Sequence, residues 1–182
     1  MKITLKECIS LIKEDYNRLN TKNKGFLYNL FLSISFKQTF WFRIINYLTY
    51  CNNKLLIPFK IIIHLYYRHI SLLHGISIDK TQKIGGGLNI HHYSCIILTP
   101  EAVIGKNLTI YQGVTIGRVH SGARAGVPTI GDNVTLFAGS KVIGNVKIGN
   151  NVIVGANSVV THNIPDNAIV AGIPAKIIRI QN

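Results

Sequence analysis

Two adjacent histidines, His91 and His92, follow an aliphatic Ile90 in the segment LNIHHYS. An imidazole titrates nearest to neutrality and suits general-base work. A hydroxyl is a poor nucleophile at neutral pH, so a neighbouring base must take its proton as it attacks an acyl carbon. The resulting oxyanion needs donors, which backbone N–H groups at a turn can supply. His64, His69, His74, His120 and His162 are dispersed along the chain. That dispersal predicts no metal site. Cys8, Cys51 and Cys95 are widely spaced and contain no CxxC, which argues against a zinc site and a disulfide framework and for free thiols in a reducing compartment. No GxxxxGK[ST] phosphate loop occurs.

The elements that must position these residues come in two kinds, which change over near Gly75. Beyond it a six-residue period runs through Ile130, Leu136, Val142, Ile148, Val154 and Val160, all aliphatic. Four residues after each of the first five stand Val134, Ser140, Val146, Val152 and Ser158, all small or β-branched. Ile78, Ile84 and Ile90 keep the same step, as do Ile104, Ile110 and Ile116, with a slip of two residues in phase between blocks. Such a period fits a triangular coil with about six residues per face. The aliphatic residue points inward onto its equivalents in neighbouring coils, while Gly, Asn and Asp take the corners. A single coil cannot bury its inner face, so stacking supplies the core. The competing reading, chance alternation in a β-sandwich, does not account for six aliphatics in phase. Between Ile116 and Ile130 lies GRVHSGARAGVPT, which lacks inward residues at the right phase and reads as a loop expelled from the coil.

Before Gly75 the pattern is helical. Thr4 and Glu7 form a capping-box signature, followed by Leu5, Cys8, Ile9, Ile12, Tyr16 and Leu19 on one helical face. Further helices are expected over Gln38–Tyr50 and Ile57–Leu73, with breaks at Lys22–Gly25 and Cys51–Asn53. Segments such as FLYNLFLSISF mix aromatics with nearby bases, which leaves two readings open: a cap packed on protein, or a surface lying on a membrane. The most apolar stretch, Leu55 to Tyr67, is interrupted by Pro58, Lys60 and His64, so no spanning helix is expected. The N-terminal sequence is too polar for a signal peptide, and a cytoplasmic location is expected, with peripheral contact at the inner membrane face as an added reading. The division expected is residues 1–75 helical and residues 76–182 β-helix with a C-terminal tail.

The formal net charge is +13, of which residues 1–75 carry +8. This favours an anionic partner: nucleic acid, an acidic membrane or a phosphorylated small molecule. No nucleic-acid reading motif accompanies the charge, so direct nucleic-acid binding is not expected.

KIGGGLNIHH, EAVIGKNLTIYQGVTIG, TIGDNVTLFAGSKVIGNVKIGNNVIVGANSVV and the closing IPDNAIVAGIPAKIIR resemble the hexapeptide-repeat acyltransferases, in the branch of serine acetyltransferases and polysaccharide O-acetyltransferases. The resemblance implies a mainly β fold, a left-handed parallel β-helix with an N-terminal α-helical region. It implies a homotrimer, acetyl-CoA as co-substrate held between subunits, and His92 as the general base. The cofactor groove would draw on Gly117, Ala138, Gly139 and Ala156 for close approach of the pantetheine arm, and on Arg118, Lys176 and Arg179 for the phosphates. Arg124 and His120 of the expelled loop are further candidates. Acceptor-side positions are Ser77, His91 and Gln112.

The serine-specific members hold their substrate with two aspartates and an Arg-His pair. Here those positions are His91, Ser77 and the dipeptide Gly126–Val127. An amino-acid zwitterion needs charged partners, and burying its ends unpaired costs several kcal/mol, on the order of 3–5 for one broken buried pair. The expectation is therefore a sugar hydroxyl of a surface polysaccharide as acceptor. The alternative is serine O-acetylation in cysteine biosynthesis.

Overall fold

A computed structural model describes residues 3–19 and 21–181. Four helices come first: α1 (Leu5–Asn17), α2 (Phe26–Leu32), α3 (Ile34–Tyr50) and α4 (Ile57–His74). The capping box forms as the sequence predicts. Thr4 Oγ1 accepts from the Glu7 N–H, and the Glu7 carboxylate accepts from the Thr4 N–H at 2.7 Å. Only part of the expected α1 face is covered: Cys8, Ile12 and Leu19 are buried, whereas Leu5 and Ile9 are exposed. The packing partner, α3, covers a narrower arc than the apolar stripe offers. Helix α3 begins four residues earlier than expected, because Ser33 caps it through the Phe36 N–H. Helix α4 ends at Gly75, whose φ of 62° is the left-handed stop that glycine adopts at little cost. Among the described residues, no helix is long and apolar enough to cross a membrane.

From Ile76 the chain winds into a coil with three short strands per turn, giving the left-handed parallel β-helix expected. The first turn holds β1 (Ile76–Ser77), β2 (Lys83–Ile84) and β3 (Asn89–Ile90). The second holds β4 (Ile96–Leu98), β5 (Val103–Ile104) and β6 (Thr109–Ile110). Next come β7 (Thr115–Gly117), β8 (Thr129–Ile130) and β9 (Thr135–Leu136), then β10 (Lys141–Ile143), β11 (Lys147–Ile148) and β12 (Ile153–Val154). The last turn comprises β13 (Val159–Val160), a bridge at Ile164 and β14 (Ala168–Gly172). Strand β15 (Ala175–Ile180) then reverses and pairs antiparallel with β14. The six-residue period does not extend into this segment, and the tail expected there is a strand instead.

Register explains the period and its slips. In the regular coils, Ile130 lies on Ile148, Leu136 on Val154 and Val142 on Val160, each eighteen residues apart. Ile84 on Ile104 and Ile90 on Ile110 are twenty apart, so one coil carries two extra residues. These fall between Ile90 and Leu98, at a corner where Ser94 and Cys95 take φ of 93° and 52°. Ile104 on Ile130 and Ile110 on Leu136 are twenty-six apart, and the eight extra residues form the expelled loop. That loop closes as a small hairpin through reciprocal bonds of Val119 and Gly126 at 3.0 and 2.9 Å.

Every aliphatic position named in the repeat is buried, as are Ser140 and Ser158. Burying one such side chain contributes about 1.5–3 kcal/mol, and the stack repeats the gain coil after coil. One corner is held by an asparagine ladder. Asn107, Asn133, Asn151 and Asn167 all have φ near 60°, and their amides bond in series at 2.9, 3.0 and 2.8 Å. Beside it, backbones approach so closely that a Cβ on Gly105 would meet the carbonyl carbon of Gly131 at 2.8 Å.

Candidate active site

The register that stacks Ile90, Ile110, Leu136, Val154 and Val170 also stacks the residues that come after them in the chain. The next position is His91, Tyr111, Phe137, Gly155 and Ala171. The one after is His92, Gln112, Ala138 and Ala156. One corner of the coil thus gathers His91, His92, Gln112, Ala138 and Ala156, five of the residues singled out in the sequence, with Gly139 immediately after Ala138.

Each is placed by backbone pairing. The His91 N–H donates to Ile110 O at 2.9 Å, and the Tyr111 N–H to Leu136 O at 3.1 Å. Below them the corner is flat. Gly139 has φ of 71°, a left-handed conformation that favours glycine, and a Cβ there would displace the Asn157 amide, whose Oδ1 lies 2.1 Å from its position. His91 is half-buried and His92 exposed. The two ion pairs among the described residues, Arg43–Asp15 and Arg118–Glu101, involve neither ring.

The remaining candidates lie elsewhere. Ser77, on β1, lines a cavity of about 540 Å³ between α4 and the first two coils, together with Arg68, Asp79 and Cys95. Gly117 ends β7 at the far side of its sheet, where a Cβ would press on Ile143 Cδ1 at 2.9 Å. Arg118 is engaged by Glu101 at 2.8 Å, with both side chains substantially exposed. Arg124 and His120 are exposed on the expelled hairpin. Lys176 pairs in register with Ala171, which puts it at the base of the histidine corner. Arg179 pairs with Ile169, nearer the opposite end of the same strands. No group of three or more potential metal ligands occurs among the described residues.

Sequence reasoning passed over Tyr111 and Phe137. Their rings stack on each other at 5.0 Å and 23°, and Tyr111 stacks on His91 at 4.7 Å and 14°. The signal was present: each follows an inward aliphatic residue by one position, as His91 does.

Residues 128–162 match the bacterial transferase hexapeptide family model, described as six repeats. A serine acetyltransferase of Staphylococcus aureus is 46% identical over 105 residues, covering 58% of this chain and 49% of that protein. The chain thus spans about half the length of the curated relatives it matches. Among solved structures, a Neisseria gonorrhoeae serine acetyltransferase in complex with serine superposes with a TM-score of 0.77 at 26% identity, covering 96% of this chain and 70% of that one. A serine acetyltransferase in complex with CoA gives 0.76 at 26% identity, covering 96% and 71%.

These likenesses overturn the expected polysaccharide acceptor, because the relatives and structural neighbours are serine acetyltransferases. The error lay in assuming that a changed set of acceptor residues requires a changed acceptor; a charged substrate can be held from other positions in a cleft. Residues 128–162 thus carry the bacterial transferase hexapeptide repeat, and the left-handed parallel β-helix around them is similar to that of solved serine acetyltransferases.

Proposed function

We propose that the chain is an acetyl-CoA-dependent O-acetyltransferase acting on the hydroxyl of L-serine, working as a homotrimer with His92 as general base. The reading is carried by the corner stack of His92 over Gln112, Ala138 and Ala156. It puts an exposed imidazole at the head of a track of small residues, with a lysine at its base. The serine acceptor comes from the relatives.

The parts fit a thioester co-substrate. A pantetheine arm needs close approach to backbone, and Ala138, Gly139 and Ala156 permit it. The backbone N–H groups of Ala138 and Ala156 make no hydrogen bond with other described residues, so they are free to meet the arm's amides or a developing oxyanion. Lys176 supplies a cation for phosphate. When bound, acetyl-CoA supplies the activated acetyl group. His92 takes the proton of the serine hydroxyl as it attacks, and returns it to the departing thiolate. Serine's ammonium and carboxylate need charged partners other than the family's two aspartates and Arg-His pair, which here are His91, Ser77, Gly126 and Val127.

The test is purified protein with acetyl-CoA, free thiol being followed with and without L-serine. Serine-dependent thiol release with O-acetylserine as product is expected. Thiol release that L-serine does not raise above the background hydrolysis rate rejects the acceptor.

A further inference from the structure

The imidazole of a general base is ordinarily oriented by a third polar group, most often a carboxylate. Among the described residues of this chain, no carboxylate pairs with either ring of the His92 corner. The preceding residue is His91, and both ion pairs among the described residues lie elsewhere. What the corner does contain is a column of flat rings descending through three coils. His91 lies on Tyr111 with centroids 4.7 Å apart and planes within 14°, and Tyr111 lies on Phe137 at 5.0 Å and 23°. Tyr111 also meets His92 directly, at 5.9 Å and 53°, while the two imidazoles stand 6.2 Å apart. Among the described residues, Tyr111 is the ring that meets both histidines and the Phe137 ring below.

We infer that Tyr111 is a positioning residue: its ring, braced on Phe137, fixes the His91–His92 corner and so aims the His92 imidazole, a task that a carboxylate does elsewhere. The location gives the need. This corner carries the two extra residues of its coil, and just beyond the histidines Ser94 and Cys95 adopt positive φ. Beyond the His91 N–H, which donates to Ile110 O, the chain leaves the regular repeat, so the ring column is a further contact fixing the two imidazoles. Aromatic pairs favour particular relative orientations beyond the gain from burial, which selects one arrangement of such a corner. Placement matters because a displacement of about 1 Å at a reacting group can cost on the order of 100-fold in rate. The column stops at Phe137, since Gly155 and Ala171 follow at the same position. The rings therefore brace the base and leave the lower track flat.

The inference rests on the proposed acetyl transfer, and the experiment separates the two. Wild type, Tyr111→Phe, Tyr111→Ala and Tyr111→Leu are compared for kcat, KM for acetyl-CoA, the pH-rate profile and melting temperature. For the Ala and Leu variants kcat is expected to fall about 10- to 100-fold. KM for acetyl-CoA should stay within about twofold, and the acid limb of the profile should keep its midpoint, because the base is unchanged and only its aim is lost. Tyr111→Phe should retain kcat, since the ring and not the hydroxyl does the work. Leu preserves volume, so it reports on the flat ring should Ala not fold. Retained kcat in a folded Ala or Leu variant overturns the inference, as does an equal loss in Phe. A wild type that transfers no acetyl group removes both the inference and the reading beneath it. A wild type that transfers normally while Tyr111→Leu matches it removes the inference alone.

Discussion

Arg43 of α3 grips Asp15 of α1 through two nitrogens, Nε to Oδ2 at 2.8 Å and a terminal nitrogen to Oδ1 at 3.1 Å, with both side chains almost wholly buried. The guanidinium also donates to the carbonyls of Ile84 and Gly85 at 2.7 Å, and Asp15 accepts from the Leu88 N–H at 2.8 Å. One ion pair thus ties two helices to the first coil of the β-helix, just ahead of the histidine corner. Burial pushes the Asp15 carboxyl pKa up, against the opposing pull of Arg43 and the backbone donors. Asp15→Ala should destabilise the protein by about 3–5 kcal/mol, because it strands a buried guanidinium. The double change Asp15→Leu with Arg43→Met should recover only part of that, because it removes the stranded charge but leaves the Ile84 and Gly85 carbonyls and the Leu88 N–H without these partners. Chemical denaturation of both variants checks this; equal losses would mean that the charges themselves stabilise.

Replacing His92 by Ala removes the proposed base. Acetyl transfer should fall by about 100- to 10,000-fold. Calorimetric binding of coenzyme A should persist, since no part of the small-residue track is altered. Unchanged turnover would remove His92 from the mechanism.

Lys176→Ala tests the base of the track. KM for acetyl-CoA should rise several-fold, about 1 kcal/mol of exposed charge pairing, with kcat close to wild type. Dephospho-coenzyme A analogues would show which phosphate is involved. A fall in kcat with KM unchanged would place the lysine nearer the chemistry.

Leu136 is fully buried midway down the coil. Leu136→Ala should cost about 2–5 kcal/mol. On the asparagine ladder, Asn133→Ala loses two amide bonds and puts an alanine at φ of 57°. The left-handed conformation alone costs about 1–2 kcal/mol for an L residue other than glycine or asparagine. Asn133→Gly should be milder. Melting curves that rank Gly below Ala would contradict the backbone argument.

His74 gives a pH dependence. Burial lowers its pKa below the ordinary imidazole value, helped by the charges of Lys37 and His69. The unfolded chain takes up this proton near pH 6.5, the folded chain only at lower pH. Stability from this group is therefore complete above about pH 6.5 and is lost as pH falls through the lower folded pKa. His74→Gln should flatten the decline of melting temperature below neutrality. An unaltered slope would assign that dependence to other groups.

The coil was legible from the residues alone. A six-residue period of aliphatics states which residues face inward, because each face of the triangle repeats the same burial problem, and the phase slips mark where the chain leaves it. His92 came forward through the family resemblance, and the register then stacked it over Gln112, Ala138 and Ala156. The capping box placed the start of α1 because its bonds are local. Features that depend on residues distant in the chain stayed open until the fold brought them together. That Tyr111 and Phe137 stack beneath His91 is visible only once the coils are in register, since twenty and then twenty-six residues separate them. The Asp15–Arg43 pair joins segments with no common period. The reversed strand β15 follows no repeat at all. The expected polysaccharide acceptor did not hold against the likeness to serine acetyltransferases, because side-chain identity at aligned positions says which groups are absent and not which groups the tertiary fold brings together.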